Sequence, residues 1–264
     1  MIRIDCDKQW EIIAKENKLE GALPRQTKYG DAPKLIPYGE AYPEGLVDPS
    51  DYKEVIQHCH DRKIFPVYHQ YASWAPKGFE WSQNGLGYCW TWSGTGSVMD
   101  CRAREGKPTV MLSPVSMGYL VGWRNRGNYL ESFIEGAMKH GIAPASYVPN
   151  PFELNPRNFK DGWEEAAYNY RIAEVWDTDP RNMIQHAISV LRTGTPLYIA
   201  YNWWGHALVC VGVKWSKSER NNLTWLIRNS HGENDVIEMT GSRGVPDEAF
   251  GIRATETPMA ALAT

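Results

Sequence analysis

Four side chains of the sequence, taken together, can do covalent chemistry: Cys89, His206, Asn229 and Gln83. Cys89 follows a loop holding Gly85 and Gly87 and stands where a helical pattern, CWTWSGTGSVMDCRARE, begins. A helix N-terminus favours negative charge, so this position predicts a thiol shifted toward thiolate, the attacking form. A nucleophilic thiolate needs a nearby imidazole, and the imidazole needs an orienting group. His206 opens the apolar run HALVCVGV, whose Ala207, Leu208 and Val209 bury its base. Asn229 ends LTWLIRN one hairpin later, and adjacent strands can bring two such side chains together. Gln83 lies six residues before Cys89. Its amide can join the Cys89 backbone N–H as a donor pair for a developing oxyanion. Singly, each reads as structure: a buried Cys is a small core residue, and Asn before Ser is a turn. The order and spacing of all four point to nucleophilic attack on a carbonyl.

These side chains have to be positioned by the surrounding elements. Residues 1–20 pattern as a short amphipathic helix with Trp10, Ile12 and Ile13 on its apolar side. Residues 21–50 hold Pro24, Pro33, Pro37, Pro43 and Pro49 and predict an extended wrapping arm. Asp48 to Asp51 supplies start signals for a helix over YKEVIQHCHDR. IFPVYHQYA reads as a strand and SWAPKGFEWSQNGLGY as a loop. A second clear helix, NYLESFIEGAMKHG, has Tyr129, Phe133, Ile134, Ala137 and Met138 on one face and Gly141 as its stop. Residues 144–162 form a Pro- and Asn-rich loop, followed by the helix RNMIQHAISVLRTG. Strands PLYIAY, HALVCVGVKW, LTWLIRNS and DVIEMT close the chain. Helices in the middle and antiparallel strands at the end argue for an α+β fold. Asp100 and Glu105 read as a solvated helix face.

The segment QNGLGYCWTWS resembles the active-site segment of papain-like cysteine peptidases, where Gln, a Gly-rich loop and Cys-Trp stand at the same offsets. That family places His and Asn roughly 130–150 residues after the nucleophile. Here His206 and Asn229 follow by 117 and 140 positions. LSPVSMGYLVG, RGNYLESFIEGAMKHGI, GHALVCVGV, WLIRNSHGENDVIEM and AFGIRATETP resemble further segments in family order, so the likeness covers about residues 66–258. It implies a two-lobed papain-like fold. A helical lobe around 89–142 carries Cys89, an antiparallel β-barrel-like lobe around 195–255 carries His206 and Asn229, and the active-site cleft lies between. It also implies a Cys-His-Asn triad working as a thiolate–imidazolium pair through a covalent acyl-enzyme, with Gln83 at the oxyanion. Gly87, Trp90, Gly127, Asn128 and Gly205 are the implied substrate-binding positions. A polypeptide is the implied substrate, with no metal and no organic cofactor. Residues 1–65 then form an N-terminal extension to a peptidase domain at 66–264, read as a structural wrap in preference to a segment over the cleft.

Three positions depart from the pattern. Leu86 and Asn125 stand where such enzymes often have a disulfide pair. Asn128 follows Gly127 where the family has a second Gly, which implies a narrowed cleft. His231 stands where the family has a Trp that shields the Asn–His hydrogen bond. With the long extension, these departures motivate a second reading. In it the fold is a structural or binding component of a larger protein assembly, such as a viral or phage particle, with weak or lost catalysis.

Composition excludes other classes. The 264 residues carry a net charge of −3, which gives no electrostatic case for nucleic acid or an anionic membrane surface. No run approaches the ~20 apolar residues of a membrane span. The charged N-terminus lacks the apolar core of a signal peptide, and five scattered cysteines make a poor disulfide framework. Both features predict a cytoplasmic or other reducing setting. His58, Cys59 and His60 are adjacent on a predicted helix and point in different directions, so they are not expected to share a metal.

Overall fold

The computed structural model describes residues 2–16, 21–32, 34–69, 81–108, 110–122, 126–148, 150–217, 220–231 and 236–256. The chain opens with strand β1 (Arg3–Asp5) and helix α1 (Cys6–Glu16), then a short strand β2 (Ile36–Pro37) and one turn of helix α2 (Tyr38–Ala41). Helix α3 (Tyr52–Asp61) starts where Asp48 accepts the Ser50 N–H at 2.8 Å through a Pro-led turn. Helices α4 (Cys89–Arg104), α5 (Pro114–Leu120), α6 (Leu130–Lys139) and α7 (Trp163–Tyr168) follow. The rest is mainly strand: β3 (Ile172–Asp177), then helix α8 (Met183–Leu191), then β4 (Leu197–Tyr201), β5 (His206–Trp215), β6 (Leu223–Arg228), β7 (Val236–Thr240) and β8 (Glu248–Thr255).

The eight strands form one sheet in the order β1-β7-β6-β5-β4-β8-β3-β2. Its inner pairs are antiparallel, while the edge strands β1 and β2 join β7 and β3 in parallel. Among the described residues the order runs edge to edge. Both edges come from the first 37 residues, so the N-terminal segment spans the sheet from one side to the other. Helix α3 packs on β5 and buries Ile56 and Cys59.

The site rests on α4, which lies against β5 and β8 on one side and α5 and α6 on the other. It is buried nearly throughout despite its hydroxyl residues, and those of Thr91, Ser93 and Ser97 find partners inside the protein. Ser93 Oγ donates to the Ala207 carbonyl at 2.7 Å, and Ser97 Oγ donates to the Ser93 carbonyl at 3.0 Å. Gly94 lets α6 approach closely, since a Cβ there would meet the Phe133 ring at 2.4 Å. Gly141 ends the α6 region at φ +77°, the left-handed stop expected from the sequence.

Several expectations change. Asp100 is not on a solvated face: its carboxylate accepts from the Arg228 guanidinium at 2.6 Å, with both side chains about 1% exposed. Glu105 is bound to Thr255 and Lys107. The period of α4 misleads here because the helix is enclosed on all sides and so has no solvent face. The expected strand IFPVYHQYA is a single 3-10 turn at Pro66–Tyr68, since proline fixes φ and removes a ladder donor; its residues from 70 onward lie outside the described residues. Helix α7 and strand β3, which follow the Pro- and Asn-rich loop, are too short and weakly patterned to be read from the sequence.

The Asp100–Arg228 pair joins the helix that begins at Cys89 to the strand that ends beside Asn229. Asp100→Asn leaves a buried guanidinium without its carboxylate, at a cost of about 3–5 kcal/mol. Urea unfolding should show this as a lower midpoint with an unchanged slope.

Candidate active site

Cys89 is the first residue of α4 and is fully buried. Its Sγ accepts the Ala207 N–H at 3.3 Å, which seats the sulfur beside the start of β5, where His206 stands. His206 Nε2 lies 2.8 Å from Asn229 Oδ1. The same Oδ1 accepts the Ser230 N–H at 2.8 Å, which identifies that atom as the oxygen. An amide oxygen only accepts, so Nε2 carries the hydrogen and Nδ1 keeps its lone pair. The ring is therefore held in the tautomer that can take a proton at Nδ1. Trp204 and His231 flank it, each with its ring centroid 4.6 Å from that of His206. His231, at the position of the family's shielding Trp, packs its ring against that of His206 at a tilt of 43° while remaining exposed.

Gln83 is tied to the same corner. Its backbone N–H donates to the Ser230 carbonyl at 2.8 Å, and its Oε1 accepts from Ser230 Oγ at 2.5 Å. One amide hydrogen goes to the Leu86 carbonyl at 2.5 Å. The second has no partner among the described residues. Trp90, expected to line the cleft, is fully buried: its indole N–H donates to the Gly87 carbonyl at 3.2 Å and its carbonyl accepts from Tyr198 Oη at 2.7 Å. The next position along a helix turns about 100° away, so Trp90 faces the core when Cys89 faces β5. Leu86 packs on the core, Asn125 lies outside the described residues, and all five cysteines are free and buried.

The chain covers this site with its own backbone. Gly21 and Ala22 both donate their N–H to the Gly205 carbonyl, at 3.0 and 2.8 Å. Leu23 N–H donates to the Asn128 carbonyl at 3.0 Å, and Asn128 N–H donates to the Gly21 carbonyl at 3.3 Å, which pairs Ala22 in parallel with Asn128. Gly21 sits on the sulfur so closely that a Cβ would lie 2.4 Å from Cys89 Sγ. Residues 21–23 therefore occupy the space between Gly205 and Asn128, where a wrap away from the cleft was expected. Asn128 does not narrow this path: its side-chain oxygen turns back to accept the Tyr129 N–H at 2.9 Å. Gly127 precedes it, half-buried.

The cover changes the electrostatics. Burial pushes the Cys89 thiol up to about 12, against the pull of the Ala207 and Trp90 N–H groups. Burial, with a smaller push from His231, takes His206 down to about 3 despite its bond to Asn229. The covered form thus holds a neutral thiol beside a neutral imidazole, not the expected thiolate–imidazolium pair. A helix N-terminus favours the thiolate, but the segment that excludes water from it outweighs that preference. Because the folded value of His206 lies below its ordinary 6.5, the unfolded chain takes up the proton first as pH falls. This group's stability is whole above pH 6.5 and is lost as pH falls toward 3. Denaturant midpoints at pH 7 and pH 4 should fall further for the native chain than for His206→Gln.

No family model matches the sequence, and no curated protein matches it. Solved structures do match. Xylellain, a cysteine protease from Xylella fastidiosa, is 20% identical with a TM-score of 0.53, over 70% of this chain and 84% of that one. A digestive procathepsin L2 from Tenebrio molitor larval midgut is 13% identical with a TM-score of 0.58, over 90% and 78%. Procathepsin B S9 from Trypanosoma congolense is 13% identical with a TM-score of 0.56, over 93% and 89%. The chain, with its mixed helices and sheet, has the fold of the papain-like cysteine proteases.

Proposed function

We propose that the protein is a cysteine-type peptidase in a covered, latent form. Residues 66–264 carry the catalytic groups in two lobes, with Cys89 on the helical side and His206 and Asn229 on the sheet side. Residues 1–65 form an extension whose 21–23 stretch lies in the cleft. The observation that carries the reading is the bond from His206 Nε2 to an Asn229 oxygen whose identity Ser230 fixes, beside a sulfur held by Ala207. A structural histidine has no need of an oriented tautomer one residue from the N–H that holds a cysteine at a helix N-terminus.

With the arm displaced, water and the helix N-terminus reach Cys89, and proton transfer to His206 Nδ1 gives the thiolate–imidazolium pair. The thiolate attacks the peptide carbonyl. The Cys89 N–H and the uncommitted hydrogen of Gln83 stabilise the oxyanion. His206 then protonates the leaving amine, and water releases the acyl-enzyme. Gly205 and Asn128 offer the substrate backbone the same partners that the arm uses, with Gly87 and Gly127 flanking them.

The test is labelling with an epoxysuccinyl peptide across pH 4–8 of a chain whose arm is loosened by Gly21→Ala, with the modified site located by mass spectrometry. Modification of Cys89 alone, well below pH 8, is the expected result. Cys89 reacting no faster than the other four buried thiols at any pH in that range would reject the catalytic reading and return the chain to the class of binding components.

A further inference from the structure

Two residues beyond Leu23 the arm inserts Arg25 into a pocket made of three buried carboxylates from three separate elements. Asp177 ends β3, Glu248 begins β8 and Glu131 lies in the first turn of α6; none is more than 7% exposed. The Arg25 guanidinium meets Asp177 through two parallel bonds of 2.7 Å each, from Nη1 to Oδ1 and from Nη2 to Oδ2. Its plane lies near the Phe250 ring, 5.2 Å from the centroid, and Glu131 Oε1 is 3.9 Å from Nε. Glu248 Oε1 accepts the Arg25 backbone N–H at 2.7 Å, and Glu131 Oε1 accepts from Thr27 Oγ1 at 3.0 Å. A forked carboxylate beside an aromatic face matches a guanidinium better than an ammonium.

The charges do not balance. One arginine faces three carboxylates, and both Glu131 Oε2 and Glu248 Oε2 are buried with no hydrogen-bond partner among the described residues. Burial pushes the Glu248 carboxyl up to about 7, so the bond from Arg25 does not offset its desolvation. Asp177 takes the guanidinium, while Glu248 and Glu131 each hold the arm through one oxygen, at the Arg25 N–H and at Thr27, and leave the other unused. Buried carboxylates with unused oxygens cost stability, and anchoring the arm by itself gives no reason to keep them in place of apolar groups.

We propose that this pocket is the specificity site of the cleft. When the arm leaves, Asp177, Glu131 and Glu248 receive an arginine side chain of the polypeptide substrate, on the Asn128 side of Cys89, and Arg25 is the arm's copy of that side chain. The proposal rests on the peptidase reading for the word substrate and on the pocket's own geometry for the arginine. Gly21 faces the sulfur and Arg25 lies four positions along. An extended chain covers about 3.3 Å per residue, so the selected arginine stands about three or four residues from the bond that is cut.

The full chain carrying Arg25→Ala and Cys89→Ala, with an empty pocket and no nucleophile, is titrated with a fluorescent peptide of the arm sequence GALPRQTK. The same peptide with citrulline for arginine is the control; it keeps the shape and loses the charge. What remains of the arm competes equally with both, so their ratio is the readout. At least about tenfold tighter binding of the arginine peptide is expected, with the preference lost on adding Glu131→Gln or Asp177→Asn. Equal binding of the two peptides overturns the proposal. Arg25→Gln replaces Arg25→Ala if melting curves show that the alanine chain does not fold. The Arg25→Ala chain with Cys89 intact is then given a mixed peptide library. Cleavage with no enrichment of arginine on the Asn128 side sinks the specificity site and leaves the peptidase standing. Arginine-dependent binding with no cleavage keeps the pocket and sinks the peptidase.

Discussion

In a chain whose arm has been loosened by Gly21→Ala, Cys89→Ser is expected to lower peptide hydrolysis by about four orders of magnitude or more, as loss of a nucleophile does elsewhere. Serine keeps an atom at the position of Sγ, so the bond from the Ala207 N–H stays nearly as it is. The chemistry changes instead: an alkoxide does not form beside this imidazole at neutral pH, whereas a thiolate does. The substitution is small and central to a packed helix end, so the melting temperature should move little. Hydrolysis that survives Cys89→Ser would place the reaction elsewhere in the molecule, and equal residual rates at all pH values would point to a contaminant.

Gly21→Ala has the second largest effect. Gly21 has an ordinary φ, so alanine brings no backbone strain; the difference is one Cβ directed at Cys89 Sγ at 2.4 Å. Such overpacking costs about 1–3 kcal/mol. The cost falls on the covered form alone, because in the open form residue 21 no longer touches the sulfur. The open population therefore rises by about 5- to 150-fold. The rate of Cys89 labelling should rise by the same factor while the unfolding midpoint of the main domain stays put. A Gly21→Ala chain that labels no faster would mean that residues 21–23 do not gate the thiol. Acid acts in the same direction through His206, whose value rises from about 3 toward its ordinary range once water reaches it, so lowering the pH through 6 favours the open form.

Much of the site is legible in the amino-acid sequence. The offsets of Gln83, Cys89, His206 and Asn229 carry their chemistry, because a nucleophile at a helix start and a base at a strand start are local patterns. So are α3, α6, α8 and strands β4 to β7, whose periodicity and stop signals are written in contiguous residues. The ionisation state is not legible there. It depends on residues 21–23, distant in sequence, excluding water from Cys89, and exclusion of water is a property of the assembled surface.

The same reason explains the other differences. Asp100 looks like a surface residue because neighbouring sequence says nothing of Arg228, which arrives from a strand more than a hundred positions away. Trp90 looks like a cleft residue because only the packing of α4 against Tyr198 decides which way its ring turns. Arg25, Glu131, Asp177 and Glu248 carry no motif, being single charges in four unrelated segments, and become a site only when the sheet and α6 bring them together. The sequence by itself determined which groups can attack, accept and orient, since that is the chemistry of side chains and short spacings. The tertiary structure decided which of them are dry, which are paired, and that residues 21–23 lie over Cys89, since burial and charge pairing depend on segments far apart in the chain.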